Sequence, residues 1–204
     1  MALSNLTAEQ QENFHRKLKE FRMDPSKVVP AITPATHPGP VTLTADTSES
    51  TIAPHMITLT SVDELKRLAG NSDDEFESGR MEEHHDVQPE WPDSKNDLSP
   101  DELTAAENNQ IEAAHIAYVF GHSKRHESYK KIIEKHKYPA QFAVFAAETV
   151  CIDSTNSPYK ISSESGHVYG TVTICEGGVL EFDANVTVSI QKLVRSEATS
   201  CSAV

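Results

Sequence analysis

The chain has 204 residues, enough for one or two domains of ordinary size. Its apolar share is only 37%, and those residues are dense from Ile111 to Val194 and sparse from Ala31 to Pro100, which predicts one core of about 90–110 residues. With 31 acidic residues against 18 basic ones, the net charge of −13 repels phosphate backbones and argues against nucleic-acid binding.

The first element in chain order is a helix. Thr7-Ala-Glu-Gln10 reads as a capping box, and Phe14, Leu18 and Phe21 recur on one face. A stripe this narrow needs a partner surface, either this protein's own core or another subunit. Prolines at 25, 30, 34, 38, 40 and 54 then remove backbone donors and favour extended geometry, so the segment reads as a linker or arm. Val41–Thr44 and Ile57–Thr60 could form short edge strands within it.

Ser61-Val-Asp-Glu64 is a second capping box, with Val62, Leu65 and Leu68 as a short apolar face and Gly70 as its stop. From Asp73 to Glu102 twelve acidic residues face only Arg80 and Lys95. The run lacks periodicity and repels itself, so disorder is the expectation. Trp91 stands alone within it as a candidate anchor.

Ser99-Pro-Asp-Glu102 opens a helical hairpin. Leu103, Ala106, Ile111, Ala114 and Tyr118 mark its first inner face. Gly121 breaks it, and Tyr129, Ile132, Ile133 and His136 mark the second helix up to Pro139. Beyond Pro139 the period changes. Phe142–Ala147 fits either a buried strand or the end of helical structure, Thr149–Ile152 is β-like, and Val186, Val188 and Ile190 alternate with polar residues. Asp183-Ala-Asn185 reads as a turn. Gly170 to Phe182 has a strand–Gly-Gly–strand rhythm.

The fold expected from this pass is α+β, with a polar, partly disordered N-terminal half, a helical hairpin, and a C-terminal all-β unit built as a sandwich, small barrel or short β-solenoid. The divisions are a helix over 1–24, a linker over 25–98 with a short helix near 62–69, the hairpin over 99–138, the β-rich domain over 139–195 and a flexible tail over 196–204.

Cys151, Cys175 and Cys201 show no CxxC spacing, which points away from a disulfide framework and towards a reducing, cytoplasmic setting. No leader or membrane-spanning segment is expected: no basic-led apolar run opens the chain, and no apolar run approaches about 18 residues. The sequons Asn5-Leu-Thr7 and Asn185-Val-Thr187 carry no weight without a secretory signal. Cys201-Ser-Ala-Val204 has the outline of a prenylation box, but Ser202 is not aliphatic, and a free polar tail is the plainer reading.

Of ten histidines, His115, His122 and His126 are the metal-ligand candidates, the last two standing at i, i+4. Gly121 disturbs that register, and neither H-E-x-x-H nor a Cys/His zinc pattern occurs. No catalytic motif and no cofactor fingerprint is present. The interaction candidates are Phe14, Leu18 and Phe21 on the first helix, and Trp91. The expected function is a non-enzymatic structural or protein-interaction protein that self-assembles through the first helix and the β domain, with a homo-oligomer or protein partner and neither nucleic acid nor membrane. The alternatives are a carbohydrate or small-ligand binding module, and a histidine-dependent metal protein or enzyme.

Overall fold

The computed structural model of the chain describes residues 2–162, 165–183 and 186–201. The sequon and turn at Asn185 and the box residues 202–204 lie outside the described residues. The chain divides into two units, one of Met1–Ile57 with Phe142–Val204, the other of Thr58–Gln141.

The first unit begins with helix α1 (Ala8–Glu20). The Thr7 hydroxyl accepts from Gln10 N, and the Gln10 side chain accepts from Thr7 N, at 3.2 and 2.9 Å. Strands β1 (Val29–Ile32), β2 (Val41–Leu43), β3 (His55–Leu59), β4 (Ala140–Ile152), β5 (Tyr159–Ile161), β6 (Ser165–Ile174), β7 (Leu180–Phe182) and β8 (Thr187–Arg195) follow. One sheet runs β1-β4-β6-β8, with β3 also paired to β4, and the other runs β2-β5-β7. Every pairing along the two paths is parallel.

From β4 to β8 the chain alternates between the sheets, so each circuit stacks on the one before it. Ala147, Tyr169 and Ile190 lie side by side in register, a repeat of about 21 residues. Between the sheets lies a core that includes Ile32, Leu43, Phe145, Tyr159, Tyr169 and Val172. Helix α1 packs on β6 and β8 and buries Phe14, Leu18 and Phe21. The Phe21 ring stacks on Phe142 at 6.5 Å, and its edge reaches within 2.3 Å of where a Cβ on Gly166 would stand. Only glycine allows this approach. Strand β4 is therefore buried on both faces, as parallel strands commonly are, and Phe142–Ala147 is a strand with a continuous apolar run.

The expected fold class is corrected on two counts. The protein is α/β with parallel sheets, and no C-terminal all-β unit stands apart, because β1 and β2 pair with β4 and β5 from the other end of the chain. The N-terminal half is not disordered. Its prolines fall where the ladder needs no donor: Pro30 is exposed in β1, the terminal strand of its sheet path, between Val29 and Ala31, which pair with β4.

The second unit holds α2 (Val62–Ala69), α3 (Asp73–Glu77), α4 (Ala105–Phe120), a 3-10 segment (Ser123–Tyr129) and α5 (Lys130–Lys137). Its core includes Val62, Trp91, Ile111, Tyr118, Tyr129 and Ile132. The acidic stretch is ordered here because its charges find partners. The buried Lys66 ammonium meets Asp73 at 3.1 Å and donates to Gly121 O at 2.6 Å. Asp73 also accepts from the Ser123 N–H and hydroxyl, and Glu83 accepts from His122 N and His85 N. Lys124 pairs with Glu77 at 2.6 Å.

Candidate functional site: three cysteines at the strand ends

Parallel stacking carries equivalent positions of successive circuits to the same place. Cys151 is next to last in β4, Cys175 follows β6, and Cys201 lies beyond β8. Their separations of 24 and 26 residues exceed the register steps of 22 and 21, so Cys175 lies two residues beyond Thr173, the in-register partner of Cys151. The three sulfurs meet because all three residues lie at the same end of the stack, past or near the ends of their strands. Cys151 and Cys201 form a disulfide, although the cysteine spacing points away from a disulfide framework. Cys175 keeps a free thiol whose Sγ lies 3.9 Å from each disulfide sulfur. Among the described residues this is the group of metal-ligating side chains whose donor atoms gather within 4.8 Å.

The surroundings hold the trio in place. Cys175 N donates to Ile152 O at 2.8 Å, continuing the β4–β6 ladder by one step. The Gly177-Gly178 turn then reverses the chain: Gly177 has φ 77°, and a Cβ on Gly178 would stand 2.5 Å from Ile152 O. Residues beyond β8 continue in parallel along residues 174–176, with Ser196 N on Ile174 O and Glu176 N on Ala198 O, each at 2.9 Å. Asp153 fixes the far end, accepting from Cys201 N at 3.0 Å and from the Thr155 N–H and hydroxyl. Burial alone would raise the Asp153 carboxyl pKa, but these hydrogen bonds bring it below the ordinary value. Burial pushes the Cys175 thiol up, and the Asp153 charge adds to the effect. An open groove beside the trio is lined by residues that include Cys175, Glu176, Gly178, Leu193 and Arg195.

A second polar feature threads the core of the same unit. Ser165 donates to Ser162 O at 2.5 Å, so its oxygen accepts from His167 Nε2 at 2.8 Å. His167 Nδ1 then accepts from Tyr169 at 2.9 Å, and Tyr169 from Tyr159 at 3.3 Å. The donor inventory assigns this order, since each hydroxyl has one proton to give. Phe145 stacks on the imidazole at 5.0 Å. Burial drives the His167 pKa down to about 3. The chain of hydroxyls is sealed within the core, so its work is to satisfy polar groups there.

The sequence-derived candidates fall elsewhere. Phe14, Leu18 and Phe21 are buried within the first unit, and Trp91 is buried against Tyr129 at 5.4 Å in the second. His115 meets the Tyr138 hydroxyl at 3.2 Å, and burial lowers its pKa to about 4. His122 Nε2 lies 3.5 Å from Glu77, at the margin of an ion pair. His126 is fully buried with no hydrogen-bond partner at either ring nitrogen among the described residues. No three ligating side chains gather around these histidines among the described residues. The signal in the sequence is coarse: each cysteine follows a β-like run at a spacing a few residues longer than the strand repeat, and local motif spacing does not carry it.

No protein family model, no curated protein and no solved structure matches the chain. No helix among the described residues is long and apolar enough to cross a membrane.

Proposed function

We propose that this chain is a structural or interaction protein whose stacked strands are latched by a switchable disulfide. One observation carries the reading: the Cys175 thiol stands 3.9 Å from both sulfurs of the Cys151–Cys201 bond. The equal distances place Cys175 Sγ broadside to the bond, so in the switching step it first swings into line with the Cys201–Cys151 bond, and the thiolate then attacks Cys151 Sγ. A Cys175–Cys151 bond forms and the Cys151–Cys201 bond breaks. The electron pair leaves on Cys201, which takes up the proton Cys175 gave up, so no external oxidant or reductant is needed. Residues 196–201 then lose their covalent tie, and the hydrogen bonds to Ile174, Glu176 and Asp153 are among the contacts that remain.

The test is disulfide mapping of unreduced protein held at mildly alkaline pH, then quenched with acid and alkylated. Tryptic sites at Lys160 and Arg195 place the three cysteines on separate peptides. The expected result is label on both Cys175 and Cys201, with both disulfide isomers present. Label confined to Cys175 under all conditions would overturn the switch.

A second reading, self-assembly of copies, is supported by the last circuit. Val179, Phe182 and Leu193 are 46%, 50% and 62% exposed there, and β8 ends its sheet path with no further strand paired to it among the described residues. The stripe on α1 is occupied within its own unit, so this reading rests on the β edge alone. Light scattering of the wild type beside Leu193→Glu tests it: a dimer or larger species lost in the variant supports assembly, and a monomer in both excludes it.

A further inference from the structure

We infer that the reduced cysteine trio is a binding site for one thiophilic d10 metal ion, held by Cys151, Cys175 and Cys201 as thiolates. The inference deepens the latch reading and rests on it, since the same three sulfurs serve both.

The argument is geometric first. Three donors each about 2.3 Å from a shared ion, the usual metal–thiolate distance, stand about 4 Å apart when the ion lies in their plane. Two edges of the triangle already have that length, at 3.9 Å from Cys175 to each partner. The third edge is short because it is a covalent bond. Reducing that bond and letting its two sulfurs part to the same spacing completes the triangle. Cys201 is the residue free to make the move. It lies at the end of residues 196–201, which a few hydrogen bonds hold, whereas Cys151 sits inside β4 and Cys175 is fixed by the Ile152 carbonyl.

The donor set sets the class of ion. Three sulfurs with Cys151 and Cys175 buried make a soft, largely dry site, which favours closed-shell thiophilic ions over magnesium or calcium. Cu(I) accepts three-coordinate sulfur as it stands. Zn(II) would add water as a fourth ligand, entering by the groove beside Cys175. The chemistry balances. A dithiol reductant gives two electrons to the Cys151–Cys201 bond and becomes a disulfide, leaving three thiols, and the ion then displaces their protons to solvent. Oxidation of Cys151 and Cys201 removes two of the three ligands, so occupancy follows the redox state of the latch.

The test uses the full chain, reduced with a phosphine under anaerobic conditions, and titrates it separately with Cu(I) against a chromophoric Cu(I) chelator and with Zn(II) against a zinc indicator. The expected outcome is one equivalent per chain, with Cu(I) held in preference to Zn(II). Binding should weaken at least about tenfold in Cys175→Ser and in Cys201→Ser, given that even outer-shell losses at metal sites have effects of that size. The unreduced protein should hold none. Cys201→Ser removes a partly exposed sulfur, and circular dichroism of both variants separates lost binding from lost folding. Stoichiometric Zn(II) alone would keep the site and change the ion. Binding of neither ion, or equal binding by both serine variants while they remain folded, overturns the inference. The disulfide map is made without metal and the titration without a disulfide, so either can fail while the other stands.

Discussion

Acidification should destabilise the first unit through a single buried imidazole. His167 has a pKa of about 3 in the folded chain, because burial disfavours its charged form. In the unfolded chain the ordinary value is about 6.5. The folded-state value is the lower one, so the neutral ring contributes its full stability above pH 6.5 and that contribution fades as pH falls towards 3. Each unit of pH within this window is worth about 1.4 kcal/mol, so moving from pH 7.5 to 4.5 should remove about 2–3 kcal/mol, and roughly 5 kcal/mol is lost by pH 3. Geometry reinforces the direction. Nδ1 accepts from Tyr169, and a proton placed there would set two donors face to face unless Tyr169 turned away. Urea unfolding at several pH values, compared between wild type and His167→Gln, isolates the effect. The variant should be less stable at pH 7.5, where it loses the stack on Phe145, yet its stability should fall less steeply with acid. Parallel pH slopes in the two proteins, or a His167 ring resonance titrating near pH 6.5 by NMR, would refute the reasoning.

Two further substitutions test the packing. Gly166→Ala should destabilise the first unit by about 1–3 kcal/mol in thermal melts, because the new methyl meets the Phe21 ring. Pairing it with Phe21→Leu should give less than the sum of the two single effects. In the second unit, Lys66→Met strips Gly121 O of its donor and leaves Asp73 with the Ser123 bonds alone, for a loss of about 2–4 kcal/mol read by urea unfolding on Trp91 fluorescence.

What the sequence made legible is what is local. The Thr7 box and the Ser61 cap start helices because a cap is settled within three residues, although at Ser61 the Glu64 carboxylate accepts from Thr60 N instead of closing the box. The Ser99 box is a partial case: it closes the 3-10 turn Pro100–Glu102, and Thr104 starts α4 with a box of its own. Gly177-Gly178 does turn the chain. The parallel sheets were not legible, because Val29 finds Ala147 and Val41 finds Tyr159 across the whole second unit, and alternation in a short strand names neither its partner nor its direction. The acid run misled for a related reason. Its net charge says disorder, whereas Asp73 and Glu83 act singly on Lys66, Ser123 and His122.

The poise of the latch can be reasoned from chain entropy. The Cys151–Cys201 bond joins residues 50 apart, and the exchanged Cys151–Cys175 bond would join residues 24 apart. Halving a closed loop changes its closure term by only about 0.6 kcal/mol, so chain entropy alone leaves the two isomers within roughly threefold of each other. Neither bond reaches across the second unit, so neither crosslink ties β1 or β2 to the stack. The balance is then decided by what residues 196–201 gain at the strand ends, the bonds to Ile174, Glu176 and Asp153 among them. Each such bond contributes on the order of 1 kcal/mol net. A ligand or partner that takes the 174–176 edge therefore shifts the balance towards release of Cys201. Where a dithiol reductant supplies two electrons to open the bond, a metal ion that binds the three thiolates draws the centre away from both disulfides in the same way.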